Sequence, residues 1–117
     1  MKIIRIDGSL FFGSSHYIER ALRDIDEINP EQTRVLIIGS GINFIDVAGA
    51  ELLVREAQRR RKMGGDLYLC AIKEGVMEVL KKGDYLEELG RWMAPVYDDL
   101  GYDVSLHAKS SDQSSDK

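Results

Sequence analysis

The side chains most often used in catalysis and metal binding are few in this sequence and far apart. The 117 residues include two histidines, His16 and His107, and one cysteine, Cys70. A nucleophilic triad needs a histidine held between its nucleophile and an acid, and a zinc site needs closely spaced cysteine and histidine ligands. Neither pattern occurs, so we predict a protein that is not an enzyme, with no catalytic residue, no metal ligand and no cofactor.

The cysteine and the carboxylates have simpler explanations. Cys70 lies inside the apolar run 67–72 and is predicted to be a small buried core residue. Asp98 and Asp99 are predicted to form a surface pair. A phospho-receiver domain would carry paired acidic residues just after its first strand, and Asp7 alone does not supply them.

A glycine-containing segment at residues 39–44 comes closest to a nucleotide-binding motif. Gly39 and Gly41 follow an apolar run, but Phe44 stands where the dinucleotide fingerprint has its third glycine. We interpret the segment as a flexible turn between a strand and a helix. A small enzyme with a nucleotide site between Gly39 and Gly49 is an alternative that the missing glycine disfavours.

Composition narrows the class of partner. The chain carries 16 lysines and arginines against 20 aspartates and glutamates, a formal net charge of -4, whereas a generic nucleic-acid-binding domain is basic. No run approaches the roughly 18 apolar residues of a membrane span, and the N-terminus shows no signal-peptide pattern. We expect no nucleic-acid partner and no transmembrane segment in this chain.

Strands and helices alternate along the sequence. Residues 2–6 and 9–12 are predicted to be two strands with a turn at Gly8, and Phe11 and Phe12 are expected to pack in the core or at its edge. Further elements follow from apolar spacing and from capping residues: a helix from Ser14 or Ser15 to Asn29, a strand over 34–38 ended by Gly39–Gly41, a helix from Asp46 to Lys62, a strand over 66–72, helical segments over 76–82, 85–89 and 92–100, and an edge strand over 102–106.

This alternation predicts an α/β fold, with a small mixed, mainly parallel β-sheet on which α-helices pack. Residues 1–108 are predicted to form one domain. Residues 109–117 contain no apolar side chain and are predicted to be a disordered polar tail.

The basic run Arg59–Lys62 closes the second long helix. Glu56 and Arg60 are expected to form an i,i+4 pair on its exposed face. We interpret the run as a solvated helix end that complements the helix dipole, in preference to a contact with anionic lipid headgroups.

The segment from Asn43 to Gly49 is the strongest candidate for a functional surface. Asp46 is placed to cap the second long helix. Gly49 lies in the first turn, where glycine costs about 1 kcal/mol against alanine, and a glycine placed there usually lets another backbone or a partner approach closely. We predict a partner-binding loop at the helix N-terminus, formed by Asn43, Asp46, Val47, Ala48 and Gly49.

The same segment resembles the signature of the STAS domain family, whose founding members are anti-sigma-factor antagonists. The family pattern is an apolar strand, a short loop and an Asp-x-Ser/Thr-Gly sequence that opens a helix. Here the strand is 35–38 and the signature is Asp46-Val47-Ala48-Gly49. Segments 9–14, 44–50 and 81–86 are similar to STAS domains of sulfate-permease (SulP) transporters, and the resemblance extends from residue 2 to about residue 106.

The residue before the signature glycine distinguishes two readings of this resemblance. In the antagonists it is a phosphorylated serine or threonine, but here it is Ala48, which has no hydroxyl group and leaves no phospho-acceptor. The resemblance therefore implies a regulatory domain on the cytoplasmic face of a membrane, with the membrane domain of the same SulP anion transporter or a cytosolic protein as partner. The signature loop is also a candidate for weak nucleotide or anion binding. A stand-alone antagonist is the alternative.

Overall fold

A computed structural model describes residues 2–89, 92–93 and 104–108. The strands are β1 Lys2–Leu10, β2 Arg34–Ile45, β3 Asp66–Cys70, β4 Trp92–Met93 and β5 Val104–Ala108. The helices are α1 Phe12–Ile28, α2 Val47–Lys62, α3 Glu74–Lys82 and α4 Tyr85–Leu89. The sheet order is β4-β3-β2-β1-β5, and all four neighbouring pairs are parallel. The predicted α/β fold with a mainly parallel sheet is confirmed.

One apolar core joins the sheet to all four helices. Alternate residues of the central strands, such as Ile4, Ile37 and Leu69, are buried in a single cluster with residues of each helix. This follows from the two-residue period of strand side chains. The strand residues that alternate with these form a smaller cluster, which includes Leu36 and Cys70. The predicted burial of the cysteine is confirmed.

The first strand is one element, so the prediction of two strands with a turn at Gly8 is wrong. Gly8 has a φ of 108°, a conformation that costs glycine little. It stays in the ladder with Ile42, and the register to β2 shifts between Gly8 and Ser9. The glycine therefore makes an irregularity within the strand and does not end it.

The second strand also continues past the predicted break. Residues Gly39–Gly41 lie within β2, and Gly41 pairs with Asp7 on β1. A methyl group on Gly41 would lie 2.7 Å from the Asp7 side-chain carbon Cγ, so crowding by a neighbouring side chain explains the glycine. The glycine-containing segment is thus no flexible turn, and no glycine-rich loop lies between β2 and α2.

The basic end of α2 differs most from expectation, because Glu56 and Arg60 are 1% and 0% exposed. The Arg60 guanidinium lies 2.9 Å from Asp26 on α1 and 3.5 Å from Glu56. Arg59 completes the group, at 2.7 Å from Asp26 and 2.9 Å from Glu56. We call these four residues the α1–α2 charge cluster. Glu56 and Asp26 accept hydrogen bonds that raise the pKa of Arg59 above its usual value.

The next residue of the run is engaged as well. Arg61 contacts the Asp66 carboxylate at 3.0 Å and donates to the backbone oxygens of Glu88 and Leu89. The prediction of a solvated helix end is therefore wrong, because Arg59, Arg60 and Arg61 connect α2 to other elements.

The remaining elements agree in part with the predictions. The helical segments predicted over 76–82 and 85–89 are present as α3 and α4, and β5 is an edge strand as expected. Residues 92–93 form strand β4 where the sequence predicted helix. The rest of that segment, including Asp98 and Asp99, and the predicted tail 109–117 lie outside the described residues, so the boundary at residue 108 stays a prediction.

The α1–α2 charge cluster yields a stability prediction. Asp26→Ala removes the carboxylate shared by Arg59 and Arg60, leaving a buried guanidinium under-compensated, and we expect a loss of about 3 kcal/mol. Urea unfolding followed by circular dichroism measures it. The control is Arg23→Ala, because Arg23 is exposed and 3.8 Å from Glu19, a geometry worth at most about 1 kcal/mol. Equal losses in both variants would contradict the structural role of the cluster.

Candidate functional site

The parallel arrangement brings three helix N-termini to one edge of the sheet. Strands β1, β2 and β3 run in the same direction and are followed by α1, α2 and α3. We call the edge where these strands end and these helices begin the helix-start edge. Ligands of open α/β sheets bind at the corresponding edge, and all five predicted site residues lie here.

Asp46 forms hydrogen bonds with the first turns of both α1 and α2. Its Oδ1 accepts a hydrogen bond from the Gly49 N–H at 2.9 Å, so Asp46 caps α2 as predicted. Its Oδ2 accepts from the Phe12 N–H at 3.3 Å, at the first residue of α1. The Asp46 N–H donates in turn to the Leu10 carbonyl at 3.2 Å. One residue thereby satisfies donors at the starts of two helices, which otherwise have no partner within their own helix.

Gly49 is required by a close approach between backbones. A methyl group on its Cα would collide with the Leu10 carbonyl oxygen and would lie 2.8 Å from the carbonyl carbon. The same group would stand 3.0 Å from the Ile45 side chain. The start of α2 therefore packs directly on the end of β1. Of the two roles that the sequence suggested for Gly49, the close approach of another backbone is the one observed.

Ser14 stabilises the start of α1 from inside the helix. Its hydroxyl accepts from the Phe11 N–H at 3.0 Å and donates to the Ser9 carbonyl at 2.8 Å. The N-cap is Phe11, and α1 begins at Phe12, earlier than the sequence predicted. This shift matters because it places the Phe12 side chain on the surface.

Three large apolar side chains are exposed at the helix-start edge. Phe12 is 73% exposed, Phe44 53% and Val47 58%, and we call this set the helix-start patch. Phe44 pairs in register with Ser9, and the Phe12 backbone bonds to Asp46 next to Val47, so the three lie around one junction. The expectation that Phe12 packs in the core or at its edge is wrong.

The remaining predicted residues border this patch. Ala48 follows Val47 and is half-buried. The Asn43 side-chain oxygen accepts a hydrogen bond from Lys73 Nζ at 2.6 Å. Sequence reasoning missed Phe12 and Lys73 as members of this surface. Gly13, directly after Phe12, was the available signal that a strand ends there, but nothing in the sequence pairs Lys73 with Asn43.

The described residues offer no competing metal site. Within residues 2–89, 92–93 and 104–108, no group of three or more His, Cys, Asp and Glu side chains could hold a metal ion. His16 is exposed near the start of α1. In the same part of the chain, no helix combines the length and the apolar character needed to cross a membrane.

Gly49→Ala tests the close approach at Leu10. The methyl group meets backbone atoms that cannot rotate away, and overpacking of this kind costs about 1–3 kcal/mol. The control is Gly75→Ala in α3, where an added methyl group meets no atom within 4 Å and helix propensity favours alanine by up to about 1 kcal/mol. Urea unfolding should show a lower free energy of unfolding for Gly49→Ala and a higher one for Gly75→Ala. An unchanged free energy of unfolding in Gly49→Ala would contradict the contact.

Asp46 can be tested separately from Gly49. Asp46→Ala removes both side-chain hydrogen bonds, and we expect a loss of about 1–2 kcal/mol in urea unfolding. Asp46→Asn retains one acceptor oxygen and should lose clearly less. Equal losses in the two variants would contradict the expectation that one acceptor oxygen suffices to cap α2.

Comparison with known proteins agrees with this architecture. A family model described as the STAS domain matches residues 1–101. The crystal structure of a sulfate transporter family protein from Wolinella succinogenes has a similar fold, with a TM-score of 0.65 and 22% identity over 80% of this chain and 75% of that chain. A search of curated proteins found no match. The resemblance seen in the signature is confirmed, and the chain belongs to the STAS domain family.

Proposed function

We propose that this chain is the non-catalytic regulatory domain of a SulP-type anion transporter and acts at the cytoplasmic face of the membrane. Its partner is the membrane domain of that transporter or a cytosolic protein, bound through the helix-start patch. The observation that carries the proposal is the exposure of Phe12, Phe44 and Val47 around the STAS signature. Large apolar side chains grouped on a surface are typical of a protein–protein contact.

Three further features support a binding role. The buried carboxylates of the described residues, Glu56 and Asp66, are both used in ion pairs with arginines. The solved structure with a similar fold is described as a sulfate transporter family protein. The segments 9–14 and 81–86 resemble the same transporter subfamily.

An anti-sigma-factor antagonist is the second candidate function, and Ala48 disfavours it. Position 48 is in the first turn of α2, where a phosphate would add about -1.5 to -2 charges beside helix N–H groups. Alanine cannot accept a phosphate. A partner that is released by phosphorylation at this position is therefore excluded for this chain.

Site-specific photo-crosslinking tests the proposal. A photoreactive phenylalanine analogue replaces Val47, and the full chain is expressed in cells of the organism that encodes it. We expect mass spectrometry to find adducts with a SulP membrane protein or with a cytosolic protein that co-purifies with one. The matched control position is Ile28, which is 77% exposed at the far end of α1 and should give no such adduct.

Two results would overturn the proposal. Adducts from Val47 only with a soluble serine-kinase anti-sigma factor would favour the antagonist. Equal adducts from Val47 and Ile28 would show that the helix-start patch has no special role.

A further inference from the structure

The helix-start patch offers no open sheet edge to a partner strand. It lies at the ends of β1 and β2, which are both interior strands of the sheet. The N–H groups of Phe12, Asp46 and Gly49 already donate to partners within the chain. A partner must therefore be recognised through side chains, and an amphipathic helix presents an apolar face in this way.

Lys73 stands beside the patch and has no carboxylate partner among the described residues. Lys73 Nζ bonds to the neutral side chain of Asn43, and none of the ion pairs between described residues involves Lys73. Asp46 is occupied by the N–H groups of Gly49 and Phe12. Glu74, the next residue along, is exposed in the first turn of α3, where the helix dipole stabilises it.

Resting on the proposed function, we propose that the partner segment is an amphipathic helix with an apolar face and a carboxylate. Its apolar side chains cover Phe12, Phe44 and Val47, and its aspartate or glutamate pairs with Lys73. Lys73 is the N-cap of α3, so the contact also places the carboxylate near the positive end of that helix. Apolar contacts supply the affinity, and the charge pair fixes orientation and specificity.

A displayed library of helical peptides, randomised on one face, tests this chemistry. Selection on the full chain should enrich apolar residues at spacings of about three and four positions together with one acidic residue. A second selection on Lys73→Glu should enrich lysine or arginine at the position of the acid. Retention of the acidic preference on that variant, or no enrichment on the wild-type chain, would overturn the proposal.

Binding of an enriched peptide is then measured by fluorescence anisotropy. Phe12→Ser and Lys73→Glu should each weaken it by about ten-fold or more. The matched controls Ile28→Ser and Lys62→Glu, at the opposite edge, should leave it unchanged. Circular dichroism of every variant checks that it is folded, and Val47→Ser provides a second patch variant if Phe12→Ser is not.

A membrane surface is the other occupant to be excluded. Sedimentation with vesicles of phosphatidylcholine and phosphatidylserine should show no binding that depends on Phe12, and such binding would overturn the proposal. Crosslinks from Val47 without an acidic preference would refute the partner chemistry while leaving the proposed function standing. If the library yielded amphipathic helices with an acidic residue but Val47 gave no crosslink to a transporter, the proposed function alone would be refuted.

Discussion

The contact between the start of α2 and the end of β1 is the constraint on which the rest of the structure depends. Gly49 lies against the Leu10 carbonyl, and Asp46 accepts hydrogen bonds from the first turns of two helices. This contact sets the positions of α1 and α2 relative to each other and to the sheet. A side chain at position 49 would separate the elements, because the opposing atoms are backbone.

The same two helices are joined again at their other ends. Asp26 on α1 meets Arg59 and Arg60 on α2 in the charge cluster, and Glu56 lies between the arginines. Burial of these charges is costly unless each is paired, so the cluster tolerates little displacement of α1 against α2. The pair of helices is held at both ends and forms a rigid base for the side chains at the helix-start edge.

A base held at both ends suits the proposed binding role. Phe12 and Val47 are the first residues of α1 and α2, and Phe44 is near the end of β2, so regular elements position the patch. Preformed surfaces lose less conformational entropy on association than mobile loops do. Asp46 and Gly49 of the signature form the junction, whereas the exposed side chains around them are available to a partner.

The sequence by itself determined the alternation of helices and strands from α1 to α4 and the cap at Asp46, because apolar spacing and capping are local properties of the chain. Only the tertiary structure decided what Gly8, Glu56 and Phe12 do. Gly8 stays in a strand because β2 continues beside it. Glu56 is buried with its charge compensated because it pairs with Arg59 and Arg60, which also pair with Asp26 on α1. Phe12 is exposed because α1 starts there and not at Ser14 or Ser15, at a junction made by Asp46, which is 34 positions away in sequence.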